Sequence, residues 1–277
     1  MTKLKTTLLS TLTALGMMAG MANAAIILFE DGFESRNAGN LNDQGTWTSP
    51  TSGLNQYTVA TDGGLGNTII GGGDQRITSP SGSGDGSSPT FATFTATSES
   101  QVIVRFNYNA TETTGGPFFS FRLTGDNGDF LSTLGITVQN GQLRPRSTNA
   151  AGDITQLTSG VPTISNNTTH TIVFMAEKTG AAGNNYNRVT AWLNPALAGE
   201  TAADLLAVTG ISGGVSVTAD TGISSFSAIS FQKGSSGGQA GIQMDSILVA
   251  AIPEPSTYAA IAGLLALGLV AWRRRKS

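Results

Sequence analysis

Between its two ends the chain alternates. Val102, Val104, Phe106 and Tyr108 share one parity; Ile103, Arg105 and Asn107 share the other. The period of two recurs in Phe119, Phe121 and Leu123, in Ile136 and Val138, in Ile172, Phe174 and Ala176, and in Val189, Ala191 and Leu193. Successive side chains of a strand point to opposite faces, so each run predicts a strand with one apolar face. The β-branched and aromatic residues in these runs suit strands. Turn chemistry fills the breaks: Gly115-Gly116-Pro117, Gly125-Asp126-Asn127-Gly128, Asn140-Gly141 and the stretch from Gly180 to Asn185. Asn140-Gly141, ahead of Gln142-Leu143-Arg144, is the strongest hairpin signal, because both residues tolerate positive φ. Only the stretch from Gly199 to Val208 has helical spacing, for barely two turns. Many short strands with regular breaks predict an all-β fold, an antiparallel two-sheet sandwich, over residues 25–250. The Gly/Ser-rich stretches 61–86 and 235–238 are expected as surface loops.

The ends follow a different pattern. Lys3 and Lys5 precede an uncharged apolar stretch from Leu8 to Met21, then Ala22-Asn23-Ala24. This reads as a secretory signal peptide over residues 1–24, cut by signal peptidase between Ala24 and Ala25, with Ala22 at the other small-residue position. At the far end, Pro253-Glu254-Pro255 precedes an apolar segment and the basic stop Arg273, Arg274, Arg275 and Lys276. The prolines lack amide donors and hold the chain extended. A transmembrane helix is expected over 256–272, about 26 Å at 1.5 Å per residue, close to the hydrocarbon thickness. The basic tail would stay cytoplasmic and the domain would face outward.

Those C-terminal residues resemble the PEP-CTERM sorting signal of exported bacterial proteins over residues 251–277. The resemblance implies recognition of Pro253, Glu254 and Pro255 by an exosortase in a Gram-negative bacterium that makes extracellular polysaccharide or biofilm. It also implies transient residence in the inner membrane, then the cell surface or extracellular matrix. In the middle, Asp31-Gly32-Phe33-Glu34, Ala191-Trp192-Leu193-Asn194-Pro195 and Met244-Asp245-Ser246-Ile247-Leu248-Val249 resemble concanavalin A-like or laminin-G-like (LamG-like) jelly rolls. That likeness implies a sandwich whose first and last strands lie near one another, and no particular activity.

Composition narrows the chemistry. Zero cysteine excludes disulfides, thiolate metal sites and cysteine nucleophiles, and a single histidine leaves no histidine cluster. The whole chain carries −3, but the basic clusters lie in the terminal segments. Residues 25–252 hold nine basic and 17 acidic residues, a net −8. That charge makes nucleic acid, and an anionic polysaccharide without a bridging cation, poor partners.

Candidate sites are few. Glu30-Asp31-Gly32-Phe33-Glu34 is the dense acidic run, expected where a first strand from Ile26 to Phe29 enters a loop. His170 opens a strand and is expected to serve as a hydrogen-bonding edge residue. No cofactor is expected; calcium candidates are Asp126, Asn127 and Asp129, with Asp74 or Asp85 in the Gly-rich loops as others, although turn chemistry accounts for the first set. Trp47 and Tyr57 in a polar stretch are the candidate glycan-binding platform, and Trp192 is expected in the core or beneath a loop. The reading is an exported, exosortase-sorted, non-enzymatic β-sandwich, structural or adhesive in association with extracellular polysaccharide. A carbohydrate-binding module is the alternative; a glycan hydrolase or lyase would need paired carboxylates across a cleft.

Overall fold

The structure, a computed structural model, describes residues 25–42, 44–48, 57–61, 63–65, 75–79, 90–111, 118–125, 131–197, 201, 204–205, 207–234 and 241–252. The expected signal peptide with Ala22 and Ala24 lies outside these residues. So do Pro253, Glu254, Pro255, the expected membrane helix and basic tail, and Asp74, Asp85, Asp126, Asn127 and Asp129.

The alternating runs form two antiparallel sheets. In chain order the strands are β1 (Ile26–Asp31), β2 (Gly39–Asn40), β3 (Trp47–Thr48), β4 (Thr58–Ala60), β5 (Arg76–Thr78), β6 (Thr90–Thr97), β7 (Gln101–Asn109) and β8 (Phe118–Thr124). There follow β9 (Thr133–Gln139), β10 (Gln142–Thr148), β11 (Ile154–Gln156), β12 (His170–Glu177), β13 (Arg188–Leu193), β14 (Val215–Thr218), β15 (Phe226–Lys233) and β16 (Gln243–Ile252). The nine-stranded sheet runs β14-β13-β12-β7-β16-β5-β4-β2, with β1 also on β16; the seven-stranded sheet runs β11-β10-β9-β8-β15-β6-β3. The expected neighbourhood of first and last strands is a direct pairing, with Ile26 opposite Ala251 and Asp31 opposite Ile247. β1 continues through Glu30 and Asp31, two residues past its expected end.

Parity decides the core. Val102, Val104, Phe106 and Tyr108 of β7 meet Phe119, Phe121 and Leu123 of β8 and Ile136 and Val138 of β9 between the sheets. Phe121 packs edge-on to Phe106 at 4.5 Å and to Phe174 at 5.9 Å. A second apolar cluster covers the outer face of the nine-stranded sheet: Ile103, Val173, Met175 and Leu248 lie under Leu205 and Val208. Trp192 belongs to this cluster and donates its indole N–H to Ile211 O at 3.2 Å, so it is packed beneath a loop as expected.

Two local predictions meet different outcomes. Asn140 and Gly141 take φ of 53° and 68° between β9 and β10, the type I′ geometry that Asn-Gly favours. Of the helix expected at 199–208, Asp204 and Leu205 are helical, with Leu205 N donating to Thr201 O at 3.1 Å, and the 3₁₀ turn Ala207–Gly210 follows. Thr201 and Asp204 bond reciprocally ahead of it, Thr201 N to Asp204 Oδ2 at 2.9 Å and Asp204 N to Thr201 Oγ1 at 3.3 Å. Its apolar residues, Leu205 and Val208, are spent on covering the sheet.

Candidate functional site

The acidic run is a structural junction. Asp31 ends β1 at 5% exposure. Its Oδ1 accepts Phe33 N at 2.7 Å, and its Oδ2 accepts Arg36 Nη2 at 2.6 Å and the Trp47 indole N–H at 2.7 Å. Phe33 holds φ of 64°, a conformation that the Asp31 bond supports locally. Glu30 and Glu34 are exposed, while the carboxylate between them is committed to three donor groups.

The expected aromatic platform is overturned by burial. Trp47 is 0% and Tyr57 1% exposed. Phe231 lies against both, at 5.2 Å from Trp47 and 4.6 Å from Tyr57, and Phe29 meets Trp47 edge-on at 5.5 Å. Rings enclosed on both faces offer nothing for a sugar to stack on. Trp47 and Tyr57 are core residues, the first in the short strand β3 and the second immediately before β4.

His170 is also occupied. It opens β12, an interior strand, and is 5% exposed. Nδ1 lies 3.0 Å from Asn194 Nδ2, and Nε2 lies 3.2 Å from Ser165 N and 3.4 Å from Ser165 O. The ring ties two loops to the strand, the hydrogen-bonding role expected of it. Asp245 sits at a bulge in β16, where Ser246 takes φ of 53°. It accepts Ser246 N at 2.6 Å and Leu65 N at 3.0 Å. Burial raises its pKa, and the two backbone bonds oppose that rise.

The outer face of the seven-stranded sheet is polar, with Ser120, Arg122, Thr137 and Ser230 buried and Arg144 and Arg146 half-buried. Register sets a rung across it: Thr48, Phe91, Ser230, Arg122, Gly135, Arg146 and Gln156 are successive partners. The neighbouring rung carries Gln232, Ser120, Thr137 and Arg144. Arg144 donates to Gln142 Oε1 at 2.6 Å and to Gln139 Oε1 at 3.2 Å. Arg122 Nε donates to Ser120 Oγ at 2.6 Å. Gly135 is enforced: a Cβ there would lie 2.1 Å from Phe121 O. A shallow groove of about 500 Å³ begins beside this face, lined by Asn140, Gln142, Thr163 and Asn166 among others.

The C-terminal segment is resolved by comparison. The family model described as the PEP-CTERM protein-sorting motif matches residues 251–276. This chain carries a PEP-CTERM sorting signal. The motif implies an exported, sorted protein that an exosortase processes, and it begins within the last two residues of β16. No curated protein matches the chain.

Solved structures resemble the chain loosely and at low identity. The CBM2 module of the evolved Dit of Lactobacillus casei BL23 phage J-1 gives a TM-score of 0.49 at 11% identity, covering 84% of this chain and 98% of that one. The cellulose induced protein Cip1 gives 0.48 at 15%, covering 82% and 98%. The carbohydrate esterase vb_24B_21 from Shiga toxin-encoding bacteriophage phi24B gives 0.47 at 15%, covering 83% and 100%. Likeness at this level says nothing about ligand or activity.

The arginine rungs were not among the residues the sequence singled out. A faint signal exists in Gln142-x-Arg144-x-Arg146, three polar side chains of one parity. Only the sheet order brings Arg122 beside them.

Proposed function

We propose that this PEP-CTERM protein is a non-catalytic β-sandwich, structural or adhesive, associated with extracellular polysaccharide. Signal peptidase removes residues 1–24, the C-terminal helix rests transiently in the inner membrane, and exosortase handling delivers the domain to the cell surface or biofilm matrix. The observation that carries this reading is the sorting motif at residues 251–276. The occupied chemistry supports it. Asp31 is bound by Arg36 and Trp47, His170 is held by Asn194 and Ser165, and no carboxylate stands on the strands of the seven-stranded sheet. A glycosidase cleft needs two carboxylates about 5–10 Å apart.

Replacing Pro253, Glu254 and Pro255 with alanine tests the sorting step. The triple variant is expected to accumulate in the membrane fraction, and release of the same mature form would refute exosortase handling. Reducing-end or unsaturated-product assays on extracellular polysaccharide test the non-catalytic role. Turnover abolished by removing a specific carboxylate would overturn it.

A further inference from the structure

The two sheets differ in charge. No Asp or Glu occurs in the seven strands that form the β11-to-β3 sheet, whereas Glu30, Asp31, Glu177 and Asp245 lie on strands of the other. Of the nine basic residues between 25 and 252, Arg122, Arg144 and Arg146 share the outer face of the acid-free sheet. A domain of net −8 thus places a third of its cations on one sheet face, Arg122 buried and Arg144 and Arg146 half-buried.

The three are placed to act together. Arg122 and Arg146 flank Gly135 on one rung, two strand spacings or about 10 Å apart between Cα atoms. Gly135, itself buried, lies between them and tolerates no side chain. Arg144 follows on the same face, two residues or about 7 Å along β10. Gln139 and Gln142 offer it neutral amide oxygens, which orient the guanidinium without neutralising it. Arg146 stands 5.8 Å from the Phe118 ring centroid, and its buried Nε has no hydrogen-bond partner among the described residues. Burial lowers the pKa of Arg146; burial, then repulsion from Arg146, lowers that of Arg122 to about 9. Both shifts have the direction that a seated anion would reverse.

We propose that this face binds a carboxylate-bearing polysaccharide, a polyuronate, through Arg144 and Arg146, with Arg122 supplying positive potential beneath them. Planar guanidinium forks match carboxylates in two-point contacts. Gln139, Gln142 and Gln156 flank the arginines with amides suited to sugar hydroxyls, and Gln142 leads into the adjoining groove. The inference rests on the polysaccharide association proposed above and names the class of polymer. It also revises the expectation drawn from net charge. Overall repulsion is screened beyond about 8 Å at physiological salt, whereas the arginine row acts at contact.

The test uses the full chain immobilised and offered polygalacturonate, dextran sulfate and neutral dextran at low and raised salt. Polygalacturonate is expected to be retained preferentially, and salt to weaken it. Arg144→Gln and Arg146→Gln are each expected to weaken retention about tenfold. Gln156→Glu, which sets a carboxylate opposite Arg146, is expected to act in the same direction while keeping all three arginines. Unchanged unfolding midpoints establish that the variants fold. Undiminished polygalacturonate binding by both the Arg144→Gln/Arg146→Gln double variant and Gln156→Glu would overturn the proposal, as would preference for dextran sulfate. Retention of neutral dextran alone overturns the polyuronate assignment but leaves polysaccharide association standing; retention of none of the polymers removes both.

Discussion

Truncating Asp31 to alanine tests how the N-terminal strand is locked to the core. The substitution deletes the acceptor for Phe33 N, Arg36 and the Trp47 indole. Hydrogen bonds to a charged acceptor contribute about 1.5–3 kcal/mol each, but Arg36 is partly exposed and regains water. Trp47 is not exposed, so its N–H is left buried without an acceptor at about 1–3 kcal/mol. Phe33 loses the bond that supports its left-handed backbone, about 1 kcal/mol more. The expected total is about 3–5 kcal/mol, a urea midpoint lowered by roughly 1–2 M. Asp31→Asn keeps the shape but turns an amide toward donors, and should lose about 2 kcal/mol. Urea unfolding followed by far-UV circular dichroism supplies the numbers. Trp47→Phe supplies the control, because it removes the indole donor. Combined with Asp31→Ala it should cost about 1–3 kcal/mol less than the sum of the singles. A loss below about 1 kcal/mol for Asp31→Ala, or strict additivity with Trp47→Phe, would refute the reasoning.

Other expectations follow from equally local geometry. Gly135→Ala drives a Cβ to within 2.1 Å of Phe121 O, so β8 and β9 must part; a loss of at least about 3 kcal/mol in chemical denaturation is expected, and a neutral result would refute the close approach. Trp192→Phe removes the bond to Ile211 O and some of the ring covering the outer cluster, and should cost about 1–3 kcal/mol, with faster amide exchange from 207–211 as the local readout. Asp245 has a raised pKa in the folded state, so the fold binds this proton more tightly than the unfolded chain does. Its contribution therefore favours folding at acid pH and fades as pH rises from the ordinary aspartate value through the raised one. Asp245→Asn should flatten that part of the stability profile, and an unchanged profile would show that Asp245 does not cause it.

Much of the sandwich was legible because alternation is a local property. The runs in β7, β8, β9, β12 and β13 each announce one buried face, and Asn140-Gly141 announces its turn through the backbone its residues permit. Trp47 and Tyr57 misled for a physical reason. Strands of two and three residues are too short to show a period, so an aromatic within or beside them reads as a loop residue. Their burial depends on Phe231, far away in sequence, and on Asp31. The helical expectation is met at Asp204 and Leu205, and Leu205 and Val208 share their spacing because both cover the outer face of the sheet. Arg122, Arg144 and Arg146 become one surface only when β8, β9 and β10 are laid side by side. Net charge, a sum over the whole domain, concealed their segregation.

The pairing of β1 with β16 has a mechanical consequence. The sorting motif adjoins β16, and β16 is gripped along its length by β7 on one side and by β1 and β5 on the other. A pull on Ile252 along the strand axis is shared by all of these ladders. It loads the ladder bonds in parallel, as shear, instead of peeling them one at a time. The strand that leads into the sorting motif is thus one that neighbours hold on both edges.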